Sequence, residues 1–258
     1  MTMLVRSVSV ILALSVSSVA YALPEINTWT TENGIKVLHV NSSELPMVDL
    51  ALTFDAGSAR DDKLAGLSSM THGLLNKGTG KFDADEVASK FEDVGAQFSA
   101  SVDLDRSSVM LRSLTSEEIF DDALTMFISV VSAPSFPERD FDREKKRLLI
   151  SLEDSDQRPS DIVEKKFFEL LYQQHPYAQA RYGDKQTANK ISLQDVKKFH
   201  ENYFVTTNSI LAIVGHNVVN QGSIQARFKR ALKHTHALHL VNSLSEHSII
   251  AILNQSCT

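Results

Sequence analysis

Three places in this 258-residue chain draw attention as able to hold a metal ion or move a proton. His72 is the first, with Ser69 three residues before it and Gly73 beside it. A metal site on a helix needs a second imidazole or carboxylate three or four residues away, on the same face. Ser69, Met70 and Gly73 supply none, so His72 reads as a partly buried polar residue of its helix. Glu144 is the second, among Arg143, Lys145, Lys146 and Arg147, and reads as part of a solvated helical charge cluster. The third is the run His234-Thr235-His236 with His239 and His247. A His-rich tract can bind metal, but metal-binding imidazoles are oriented by carboxylate or carbonyl partners, and Glu246 is the only acidic residue from His216 onward. No metal site is read from these residues. Cys257 is the only cysteine, which excludes a disulfide framework.

The elements that position these groups can be read from periodicity and turn chemistry. Asn33-Gly34 lies between the β-prone runs 28–31 and 35–40, a strong hairpin signal. Val48, Leu50, Leu52 and Phe54 alternate with Asp49, Ala51 and Thr53, the period-two pattern of a half-buried strand. Further strands are expected at 97–103, 107–114 and 210–214. Capping boxes are expected at Asp83 to Glu86, Thr115 to Glu118 and Ser192 to Asp195, each opening a helix. Two more helices are expected over 138–154 and 161–174, separated by Pro159. Strands in hairpins and helices in consecutive runs predict an α+β fold, a mostly antiparallel sheet covered by helices.

Composition bounds the function. Hydrophobic residues make up 43% of the chain and charged residues 22%, enough to build a core without metal or disulfide staples. The net charge of -6, with basic residues scattered among acidic ones, excludes a footprint for nucleic acid. Residues 1–22 carry Arg6 as their only charge, an apolar run from Val8 to Leu14 and Ala20-Tyr21-Ala22. That order predicts a signal peptide cleaved after Ala22, a periplasmic or secreted protein, and no membrane span after cleavage. One folded domain is expected over 23–215. From His216 to Thr258 the composition changes: one of the 32 acidic residues but five of the nine histidines fall there. The break marks an atypical tail that points to a truncated or frame-shifted end.

Residues 65–79, Ala65-Gly66-Leu67-Ser68-Ser69-Met70-Thr71-His72-Gly73-Leu74-Leu75-Asn76-Lys77-Gly78-Thr79, resemble the zinc-site helix of the insulinase and mitochondrial-processing-peptidase family, the inverted zincins. Gly95 to Ser101 is similar to that family's substrate-binding edge strand, and Phe136-Pro137 with Phe141 to Glu144 to its glutamate helix. His175-Pro176-Tyr177 with Gly183, then 192–203 and 208–215, resemble the end of one family domain, so the likeness spans about residues 26 to 215. The resemblance implies an insulinase-type metallopeptidase domain. It also implies that two histidines and a glutamate base belong in an H-x-x-E-H helix, where this chain has Ser69 and Gly73 at the ligand positions and His72 at the base. On the later helix Glu144 matches a family glutamate, and Ser151 falls at the third ligand.

Zinc is thus the cofactor the family implies and its ligands are replaced, so no cofactor is expected. Ser99, Ala100 and Ser101 stand where the family holds extended peptides by strand addition, with serine in place of the usual asparagine. The expected role is a catalytically inactive, exported homologue serving as non-catalytic partner of an active insulinase-type peptidase. The alternatives are a zinc endopeptidase with a non-standard site and a truncated, non-functional fragment.

Overall fold

A computed structural model describes residues 25–42 and 44–215. The expected signal peptide, residues 1–22, and the whole tail, residues 216–258, lie outside the described residues.

Six strands form one sheet in the order β1-β2-β8-β3-β7-β6. They are β1 (Ile26–Thr30), β2 (Lys36–Asn41), β3 (Met47–Phe54), β6 (Gln97–Val102), β7 (Ser107–Leu114) and β8 (Ser209–Gly215). Only β2 and β8 run parallel, so the sheet is mostly antiparallel, as expected. The Asn-Gly hairpin joins β1 to β2. Gly34 takes a positive φ of 91°, and Thr31 donates its hydroxyl to Asn33 Oδ1 at 2.6 Å. In β3 the alternation places Val48, Leu50, Leu52 and Phe54 in the core, with Val109 and Leu111 of β7 and Leu211 and Ile213 of β8. Each such side chain contributes about 1.5–3 kcal/mol by leaving water.

The helices α1 (Leu67–Leu74), α2 (Ala84–Asp93), α3 (Glu117–Ser132) and α7 (Leu193–Tyr203) contribute to that core, among others through Leu74, Phe91, Phe127 and Phe199. The expected capping boxes form at α2, by Asp83 and Glu86, and at α7, by Ser192 and Asp195. The third does not. Helix α3 begins at Glu117 with Ser116 as its N-cap, which leaves Glu118 one residue short of the position that reaches back, and Ser116 makes no side-chain cap bond. After α4 (Glu138–Ser155), α5 (Pro159–Tyr172) starts two residues earlier than expected. Pro159 opens it instead of standing between helices, because a fixed φ and a missing N–H suit the first helical turn.

Two elements had no expectation. The ribbon β4 (Gly78–Thr79) with β5 (Phe82–Asp83) is too short to show a period, and α6 (Lys185–Lys190) is held by a capping box of Asp184 with Thr187, a threonine where acidic residues are the usual signal. Among the described residues no helix is long and apolar enough to cross a membrane.

Candidate functional site

Helix α1 starts at Gly66, which has a positive φ of 96° and no side chain to cap the helix. Asp61 caps it from upstream: its carboxylate accepts the backbone N–H groups of Gly66 and Ser68, both at 2.7 Å. Burial pushes the Asp61 carboxyl up to about 6, against the opposing pull of those bonds. A Cβ on Gly66 would stand 2.6 Å from the Tyr182 carbonyl, and one on Gly183 2.1 Å from the Ala65 carbonyl. These two glycines let the loop before α6 lie directly on the start of α1, which brings Tyr182 over the helix.

The result is a cleft of about 290 Å³ between α1 and α4. Its lining includes Ser69 and Gly73 from α1, Glu144, Arg147, Leu148 and Ser151 from α4, and Tyr182. Four of the five positions singled out on these helices therefore converge: Ser69, Gly73, Glu144 and Ser151. Gly73 leaves its part of the wall open, since a Cβ there would meet nothing within 4 Å. Ser69 donates its hydroxyl to the Arg181 carbonyl at 3.2 Å, a further tie to the loop carrying Tyr182.

His72 is not among the cleft's lining residues. It is 7% exposed, and its Nδ1 is hydrogen-bonded to the Ser107 hydroxyl on β7. Its Nε2 is buried without a well-formed hydrogen bond, near the backbone of Ala100 on β6. Burial pushes the imidazole down to about 4, so it is neutral at pH 7. This histidine braces the helix against the sheet.

Glu144 is less solvated than a surface charge cluster would leave it, its side chain being 15% exposed. Three cations surround it: Arg147 at 3.2 Å, Lys77 at 3.8 Å and Arg143 at 3.9 Å. Lys77 arrives from the short turn after α1, a contact that spacing along α4 cannot reveal. Ser99, Ala100 and Ser101 lie exposed on β6, an edge strand of the described sheet. A backbone edge of this kind can pair with an extended chain.

The cleft does not suit zinc. Glycine offers no donor atom, serine hydroxyls are poor ligands at neutral pH, and the one carboxylate is already held by three cations. Among the described residues no three histidines, cysteines or carboxylates are grouped to hold a metal ion. The tail histidines lie outside the described residues. Arg147 and Tyr182 join the lining without a strong mark in the sequence. The signal for Arg147 was its position one helical turn after Glu144, and for Tyr182 its place beside Gly183.

Residues 36–185 match the sequence profile of the insulinase family, peptidase family M16. The fold is similar to the crystal structure of a peptidase M16 inactive domain from Pseudomonas fluorescens, with a TM-score of 0.79 and 33% identity over 86% of this chain and 54% of that one. An uncharacterized zinc protease of Rickettsia felis is 23% identical over 185 residues, 71% of this chain and 44% of that protein. Subunit 1 of the mitochondrial cytochrome b-c1 complex of Caenorhabditis elegans is 23% identical over 221 residues, 84% of this chain and 45% of that protein. This chain thus spans about half the length of the relatives it matches.

Proposed function

Because the chain belongs to the insulinase family, peptidase family M16, we propose that it is an exported, catalytically inactive homologue that serves as the non-catalytic partner of an active zinc peptidase. The observation that carries this reading is the cleft between α1 and α4. Ser69, Gly73 and Ser151 meet there with nothing to bind zinc, and His72, at the position of the base, is turned to Ser107. The cleft's one carboxylate, Glu144, is held by Lys77, Arg143 and Arg147, so no free base stands ready to take a proton from a water there. Peptide capture by the β6 edge, through Ser99 to Ser101, needs no metal and remains available to such a partner.

Two likenesses support the reading. One solved relative is described as an inactive domain, and another relative is subunit 1 of the mitochondrial cytochrome b-c1 complex. Export rests on residues 1–22, whose charge, apolar run and Ala-x-Ala site stand in the order that secretion requires.

Co-expression with exported insulinase-type peptidases, followed by size-exclusion chromatography and peptide-cleavage assays, tests the partnership. Co-elution with one of them and a changed cleavage rate are expected. Elution alone, with every enzyme unaffected, would refute the role.

A further inference from the structure

Zinc is held as a cation by lone-pair donors; the open groups of this cleft are instead hydrogen-bond donors. Arg147 lines it with a guanidinium that is 74% exposed and engages Glu144 through one nitrogen, at 3.2 Å. Four of its five N–H groups stay available for a planar, two-oxygen acceptor. The Ser151 hydroxyl shares the lining, and Gly73 leaves room for a ligand group to reach the floor. Charge points the same way. Lys77, Arg143 and Arg147 face two carboxylates, Glu144 and Asp140, to which they are paired. Arg181, outside the lining, has its guanidinium 5.5 Å from the Tyr182 ring, and its Nε is buried without a partner. In the lining itself Arg147 and Glu144 are the two charged residues, and the cations around Glu144 hold it while Arg147 keeps open N–H groups.

We propose that this cleft is a carboxylate pocket, taking an acidic group of an extended peptide held along β6. The peptide's position rests on the capture reading above; the pocket's preference rests on the residues of the cleft. The Arg147 fork receives the carboxylate, Ser151 donates to it, and Met70, Leu148 and Tyr182 pack against the aliphatic stem. The carboxylate comes from an Asp or Glu side chain or from the peptide's own C-terminus.

The test uses the full chain and three labelled octapeptides, read by fluorescence anisotropy: a C-terminal amide with a central Glu, the same amide with Gln, and the Gln peptide with a free C-terminal carboxylate. The Glu amide, the free-terminus peptide or both are expected to bind about tenfold tighter than the Gln amide, the usual scale for one charge-assisted pair. Which of them does so identifies the source of the carboxylate. Arg147→Gln, a change at an exposed position whose intact fold is checked by circular dichroism, is expected to abolish the difference. Equal affinity of all three peptides for the parent chain would overturn the pocket while leaving strand capture standing. If no peptide binds, thermal stabilisation by N-acetylglutamate amide but not N-acetylglutamine amide, lost in Arg147→Gln, would uphold the pocket and overturn strand capture. Stabilisation by neither would overturn both.

Discussion

The two flanks of helix α1 differ in kind. Its packed side carries Leu67, Thr71, His72 and Leu74, all buried, with Leu74 fully enclosed and His72 bonded to β7. Its cleft side carries Ser69 and Gly73, and a methyl group added at Gly73 would touch nothing. In an active relative both flanks would be constrained, one by packing and the other by a metal. Here only the packed flank holds residues that their surroundings dictate. Under the proposed function, folding and catalysis are therefore separable along a single helix, the packed flank being kept while the cleft flank carries Ser69 and Gly73.

The sharpest way to break this contrast is to truncate each flank. Leu74→Ala is expected to lower stability by about 2–5 kcal/mol, because the enclosed site cannot collapse fully. Ser151→Ala, on the α4 wall that faces the cleft flank of α1, should change it by less than about 0.5 kcal/mol. Urea unfolding of both variants measures the ratio, and comparable losses would mean that the cleft is part of the core.

Next in size is a pair of opposed titrations at the two ends of the helix. His72 is depressed to about 4, so stability is lost as pH falls from about 6.5, where the unfolded imidazole takes up a proton that the folded one refuses. Asp61 is raised to about 6, so its contribution has the other sign: the folded carboxyl holds its proton longer, and stability falls as pH rises from about 4 to 6. Between about pH 4 and 6 the two slopes oppose each other. Asp61→Asn should unmask the histidine, giving stability that rises by up to about 1.4 kcal/mol per pH unit over that window. His72→Gln should unmask the aspartate, with stability falling as pH rises. Parallel profiles in both variants would show that these groups do not titrate as their burial requires.

The two glycines of this segment sharpen the comparison. Gly66→Ala forces a side chain into a positive φ and against the Tyr182 carbonyl, and should lower stability by about 1–3 kcal/mol. Gly73→Ala, in open space within the helix, should raise it by about 0.5–1 kcal/mol. Thermal melts of the two variants should move in opposite directions. A loss at Gly73 would mean that the cleft wall is tighter than it looks.

Much of the frame was legible in the sequence because its signals are local. Alternation over Val48 to Phe54, Asn33-Gly34 and the boxes at Asp83 and Ser192 each act within a few residues, and each element formed. Strand β3, however, is buried on both faces from Leu50 onward and not half-buried, with Ala51 and Thr53 covered as well. The misses came from contacts made at a distance or from a shift of one residue. Asp61 caps α1 from outside the helix, Lys77 reaches Glu144 from another element, and α3 starts one residue too late for its box. The convergence of Ser69, Gly73, Glu144 and Ser151 was visible only through the family resemblance, because no periodicity relates α1 to α4. Helix α5 shows another limit. Its sequence has the apolar residues of a core helix, yet none is buried, and Val163, Phe167 and Leu170 are exposed. Apolar spacing defines a face but does not say what it packs against.

The most direct test of the central claim is the zinc content of the purified full chain after equilibration with excess zinc and removal of the unbound metal. With Ser69, Gly73 and Ser151 at the ligand positions, well below one zinc per chain is expected, with no change in thermal stability on adding a chelator. One tightly held zinc per chain, whose removal lowers the melting temperature, would contradict it.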